Sequence, residues 1–168
     1  MSRFKLIVFL ALITLAFAVT MISDALAGEK VKFRCSVYSV KFENVAVGDE
    51  EGHIVAAYEG KGISTNLQGK KLLDGWLYRE SGLMDMNGKA GNWSAQGYAE
   101  YTDPEGDKIY EAWEGKQVKE DIPGEGTSRL VKGTGKWQGI QGNGKWTSYS
   151  PARDRHYSDN EWEMELPR

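Results

Sequence analysis

Polar and apolar residues alternate along most of this chain, and a period of two marks a strand with one buried face. The cleanest case is residues 157–166, where Trp162, Met164 and Leu166 are expected to point inward and Glu161, Glu163 and Glu165 outward. Residues 31–42 begin with Val31, Phe33, Cys35 and Val37 on one face and Lys32, Arg34 and Ser36 on the other. Residues 92–102 set Trp93, Ala95, Gly97, Ala99 and Tyr101 against Ser94, Gln96, Tyr98 and Glu100. Further strands are predicted over 53–63, over 72–86 with a bulge near Ser81 and Gly82, and over 108–118. Two more fall within 126–149. The runs close on turn-forming residues: Gly48 to Gly52, Asn87-Gly88 with its type I′ hairpin preference, Asp103-Pro104-Glu105-Gly106-Asp107, and Pro151. After residue 27 no stretch has a convincing helical period.

Residues 126–149 organise the rest. They carry glycine at 126, 133, 135, 139, 142 and 144, a density that disfavours a helix. A strand keeps glycine where its backbone bends, bulges or lies close to another chain segment, as the bending of a sheet into a barrel requires. Eight strands spaced roughly 12–18 residues apart, with tight turns, predict an all-β, eight-stranded antiparallel up-and-down barrel. A two-sheet β-sandwich is the alternative. Closure removes exposed strand edges and the glycine bends favour it, so the barrel is the expected fold.

The segment Gly133-Thr-Gly-Lys-Trp-Gln-Gly-Ile-Gln-Gly-Asn-Gly-Lys-Trp146 resembles a run found in small exported bacterial proteins of unknown function. Those proteins are similar to the allene oxide cyclase and dirigent barrels, which carry a related Gly-Thr-Gly-basic-Phe element. Gly97 to Trp113, with its acidic turn, Gly-Asp-Lys and aromatic residues, resembles a hairpin of the same proteins. Together the two matches span about a third of the chain beyond residue 27. The resemblance implies a calycin-like, allene oxide cyclase-like barrel. No residue of the plant cyclase site is matched, so it implies no catalytic residue.

The N-terminus changes the later counts. Arg3 and Lys5 precede an apolar run over 6–19, and Ala25-Leu26-Ala27 offers a small-residue cleavage pattern. This is the form of a secretory signal peptide. The run is shorter than the roughly 20 residues of a spanning helix, which makes an uncleaved anchor the lesser alternative. Export to the periplasm or the extracellular space is expected, with residues 28–168 forming one domain and no membrane span in the mature chain. Losing residues 1–27 removes two basic residues and one acidic one, and the formal charge moves from −3 to −4. That sign argues against nucleic acid as a partner. Cys35 is the one cysteine, so packing rather than a disulfide must hold the domain, and its place between Phe33 and Val37 marks it as a small core residue.

Candidate chemistry is sparse. Ten tryptophan and tyrosine residues lie on predicted strands or their ends, either filling the core or lining one open mouth. For the mouth the candidates are Trp76, Tyr78, Trp93, Tyr98, Tyr110 and Trp113, with Glu111 as a carboxylate that burial would perturb. Small residues on the Trp93 face, Ala95, Gly97 and Ala99, mark where space is left. Asp103 and Asp107 are a weak calcium pair in a turn that lacks the rest of a calcium loop. His53 and His156 read as solvated turn residues. The glycine run precedes no helix and is not a phosphate loop, and no cofactor motif is present. The expected function is binding of a small apolar or aromatic ligand, or of a protein partner, without catalysis. An isomerase or cyclase acting by steric confinement is one alternative, a filled structural barrel another. The sequence leaves homo-oligomer formation open.

Overall fold

A computed structural model describes residues 28–152 and 154–167. The expected signal peptide lies outside the described residues. Eight strands follow in chain order: β1 (Glu29–Ala46), β2 (His53–Asn66), β3 (Leu77–Asn87), β4 (Asn92–Thr102), β5 (Lys108–Gln117), β6 (Gly124–Gly133), β7 (Gln141–Ala152) and β8 (Arg155–Glu165). A 3₁₀ turn at Gly135–Trp137 sits between β6 and β7. Each strand pairs antiparallel with the next, and β8 pairs with β1, so the sheet closes into an up-and-down barrel. The barrel, not the sandwich, is the fold. Among the described residues no helix is long and apolar enough to cross a membrane.

The inward faces follow the alternation read from the sequence. Val31, Phe33, Cys35 and Val37 are buried on β1, and Trp162 and Met164 on β8. Leu166 departs from that pattern: it lies past the end of β8 and is exposed. Outside, charged partners form a ladder across β1 and β8, including Lys32 with Glu161 and a two-toothed pair between Arg34 and Asp159.

One end of the barrel is plugged. Strand β3 starts at Leu77, later than expected, because residues 67–76 fold back over the opening. Leu73 and Trp76 are buried there, and Trp76 lies against Trp137 with ring centroids 5.2 Å apart. Leu73 sits in left-handed backbone with φ 59°, a conformation that costs a leucine about 1–2 kcal/mol. Complete burial of its side chain offsets that cost by a similar or larger amount. Asn66 ties the plug down: its amide donates to the Leu72 carbonyl, and its Oδ1 accepts from the Gln68 and Lys70 amides. Above the plug Phe33, Tyr101 and Trp162 meet edge to face, with centroids 4.8–5.8 Å apart.

The glycines follow a rule. Trp146 pairs across the sheet with Gly126, which pairs with Gly115, and the indole leans over both. Trp113 likewise pairs with Gly97, which pairs with Gly82. A β-carbon at any of these positions would collide with the ring or with neighbouring backbone. The glycines therefore make room for indoles, in addition to letting the sheet bend.

Candidate functional site

The opposite end of the barrel is open, and a cavity of about 710 Å³ runs down from it. That volume suits a small organic molecule. Aromatic side chains form its wall. Trp93 and Trp146 are nearly parallel, 11° apart, with centroids separated by 6.4 Å. Trp113 stands at 85° to Trp146, and Tyr58 is tilted 42° to Trp113, both pairs 6.2 Å apart. Trp93 is fixed by its indole N–H, which donates to Gln117 Oε1 at 3.0 Å. The indole N–H groups of Trp113 and Trp146 are buried without a hydrogen-bond acceptor among the described residues. Met84 and Met86 add adaptable apolar surface.

The floor is polar. Glu80 on β3 and Glu111 on β5 flank Ala99 on β4, so two inward carboxylates sit at one level with only a methyl group between them. Glu111 is 2% exposed. Its Oε2 accepts from the Tyr101 hydroxyl at 2.8 Å and its Oε1 from Trp162 Nε1 at 3.1 Å. Burial pushes the Glu111 carboxyl up to about 7, with the charge of Glu80 adding to the rise. The Ser128 hydroxyl, Tyr101 and Trp162 oppose it. Ser128 does so from nearby without forming an aligned hydrogen bond.

Glu80 Oε2 accepts from the Tyr78 hydroxyl at 2.7 Å. Its Oε1 lies 3.1 Å from His156 Nε2, an ion-pair distance, but the two are not aligned as a hydrogen bond and Oε1 has no donor among the described residues. Burial raises the phenols of Tyr58, Tyr78 and Tyr101 above their ordinary range, which keeps them protonated. The Cys35 thiol contacts the Tyr101 oxygen at 3.9 Å and is also pushed well up by burial, then by Glu111. A thiol held protonated is a poor nucleophile.

The expected mouth residues divide by position. Tyr78, Trp93, Glu111 and Trp113 all line the cavity. Trp76 belongs to the plug at the far end. Tyr98 points outward from β4 and is 61% exposed. Tyr110 is also on the outer face, across from Glu100, because it is one residue out of phase with Glu111. Sequence reasoning did not place Glu80 or His156 in the site. The signal was parity: Glu80 is in phase with Tyr78, and His156 with Ser158, Asn160 and Trp162.

Protein groups already engage both acidic clusters. Asp103 Oδ1 accepts from the Glu105 and Asp107 amides, and Oδ2 from Trp137 Nε1 and Lys136 Nζ. The ammonium of Lys136 stands where the calcium reading would put a cation, so protein donors occupy Asp103. Burial pushes the Asp103 carboxyl up, but the bonds from Lys136, Trp137 and the Asp107 amide outweigh it and hold it below its usual range. At the rim, Asp49, Glu50 and His53 bring ligand atoms within 4.8 Å of one another. Both ring nitrogens of His53 are already engaged, by Asp49 and Asp85.

No protein-family model matches the sequence, and no curated protein matches it. Among solved structures, the chain is similar to a pterocarpan synthase dirigent protein, with a TM-score of 0.52 and 12% identity. The match covers 84% of this chain and 91% of that one. At that identity the likeness is one of fold, and it agrees with the dirigent-type barrel that the glycine-rich segment suggested.

Proposed function

We propose that this protein is an exported barrel whose open end binds a small, flat, mostly apolar molecule without altering it. The observation that carries the reading is the cavity itself, about 710 Å³ and walled by Tyr58, Trp93, Trp113 and Trp146. Aromatic faces supply apolar contact, and a few unpaired polar atoms at known depth would set the ligand's orientation. The indole N–H groups of Trp113 and Trp146, which have no acceptor among the described residues, can take one from a ligand that carries it. A dirigent-type neighbour named as a pterocarpan synthase supports a reading in which such a barrel takes up a small organic compound. Export, to the periplasm or beyond the cell, rests on the basic and apolar pattern of residues 1–27.

One observation favours a second reading, an isomerase or cyclase that confines its substrate in the same cavity. Glu80 beside His156, with Glu111 across Ala99, places acid–base groups at the floor. Native mass spectrometry of protein purified without refolding from its own host tests the binding reading. A small extra mass, lost on denaturation, is the expected result, and recovery of that compound unchanged after incubation separates binding from catalysis. A bare native mass, together with no uptake of the neutral dye N-phenyl-1-naphthylamine, would overturn both readings and favour a filled structural barrel.

A further inference from the structure

The cavity has an unusual charge balance for an apolar pocket. Two carboxylates, Glu80 and Glu111, are both more than nine-tenths buried, and neither has a lysine or arginine partner among the described residues. Among the described residues the one basic group lining the cavity is His156, which lies near Glu80 Oε1 without a hydrogen bond to it. Directly above stand four aromatic rings whose centroids are 6.2–6.4 Å from their neighbours. Ring faces carry partial negative charge, and rings above a carboxylate floor favour a positive charge, opposed in part by the buried indole N–H groups of Trp113 and Trp146. We propose that the ligand is an organic cation, a compact amine or quaternary ammonium ion on an apolar body, with its charge held between the aromatic cage and Glu80 and Glu111. This rests on the ligand-binding reading of the cavity and names the ligand class.

The alternatives fit less well. An anionic ligand would meet two carboxylates and no lysine or arginine among the described lining residues. A neutral ligand would leave Glu80 with His156 as its one nearby basic group among the described residues and Glu111 in a site that favours its protonated form, an expensive arrangement that glutamine at the same positions would avoid. A cation supplies the missing charge, and its apolar body fills the space beside Met84 and Met86. The packed strands present Cys35, Tyr58, Tyr78, Glu80, Tyr101, Glu111 and His156 as the titratable groups facing the site. The thiol and the phenols stay neutral because burial raises them. Glu111, whose carboxyl burial pushes up to about 7, responds to a bound charge. Cation binding near neutral pH is therefore accompanied by proton release from Glu111.

The test compares benzyltrimethylammonium with neopentylbenzene, its neutral isostere of the same shape, by calorimetry and tryptophan fluorescence on the purified protein. The ammonium ion is expected to bind at least tenfold more tightly and to release protons, seen as a binding enthalpy that varies with the buffer. Glu80→Gln and Glu111→Gln should each weaken the ammonium ion about tenfold while leaving the isostere unchanged, with near-ultraviolet circular dichroism confirming the fold. Equal or tighter binding of the isostere to the natural protein overturns the cation inference and leaves the cavity reading standing. So does an ammonium affinity insensitive to both carboxamide variants. Failure of both probes to bind overturns the two together.

Discussion

The benzo ring of Trp146 occupies the space where a side chain at Gly126 would stand. The two residues are direct partners across β6 and β7, so the indole lies over the adjacent strand instead of reaching across the lumen. Trp113 has the same relation to Gly97 and Gly82, and its indole spans two strands to meet Tyr58. Rings held against the wall leave the centre of the barrel open, and this is how an aromatic-rich interior also contains a cavity.

Gly126→Ala should therefore be costly although it adds one methyl group. The new carbon meets both Trp146 and the backbone carbonyl of Glu114, and overpacking of this kind costs about 1–3 kcal/mol. Urea unfolding of Gly126→Ala, Trp146→Ala and the double variant measures it. The double variant should lose less than the two singles added together, because the collision with the ring has been removed. Additive losses would mean that the ring and the glycine are independent.

The six tryptophans should fall into two stability classes. Trp162→Ala removes a ring that is 1% exposed and a donor to Glu111, and should cost about 3–5 kcal/mol. Trp93→Ala removes a half-buried ring at the mouth and should cost about 1 kcal/mol. Melting temperatures of the two variants decide the point, and equal losses would place Trp93 in the core.

Glu111 makes stability depend on pH in a defined direction. Below its unfolded value of 4.5, both native and unfolded chains hold the proton. Between 4.5 and about 7 the native state keeps a proton that the unfolded chain has released, so stability falls as pH rises. Above that range the full penalty applies, on the order of 3 kcal/mol. Glu111→Gln should match the natural protein near pH 4.5 and exceed it in stability at pH 8, with the gap opening across that window. A constant gap would show that Glu111 ionises normally.

Asp103 has the opposite sign. Its folded carboxyl is held below the ordinary 3.8, so its contribution is present at neutral pH and lost as pH falls through the lowered value. Asp103→Asn should destabilise the protein by about 1–3 kcal/mol at pH 7, because the amide cannot accept from all four donors. The difference from the natural protein should shrink in strong acid. Added calcium should not change the melting temperature of either.

The barrel was legible because a period of two survives in the first half of β1, in β4 and in β8, and because glycine recurs opposite aromatic residues. The plug was not. Leu73 is buried through left-handed backbone and through the hydrogen bonds of Asn66, and neither leaves a periodic trace. Depth was hidden as well: Trp146, between Lys145 and Thr147, and Trp162, between Glu161 and Glu163, are both aromatics flanked by polar residues on a strand, and each faces a glycine across the sheet, yet the stagger of the closed sheet sends one to the mouth and the other to the core. His156 was masked by its charged neighbours, which suggest a solvated turn, although its phase with Asn160 and Trp162 points inward.

On the proposed function the open end, and not the plugged one, receives a ligand. The indole N–H region of a proton–nitrogen correlation spectrum reads it directly, since each of the six tryptophans gives one signal. Titration with N-phenyl-1-naphthylamine should shift the signals of Trp93, Trp113 and Trp146 and leave those of Trp76, Trp137 and Trp162 in place. Six unmoved signals, or shifts confined to Trp76 and Trp137, would contradict the account.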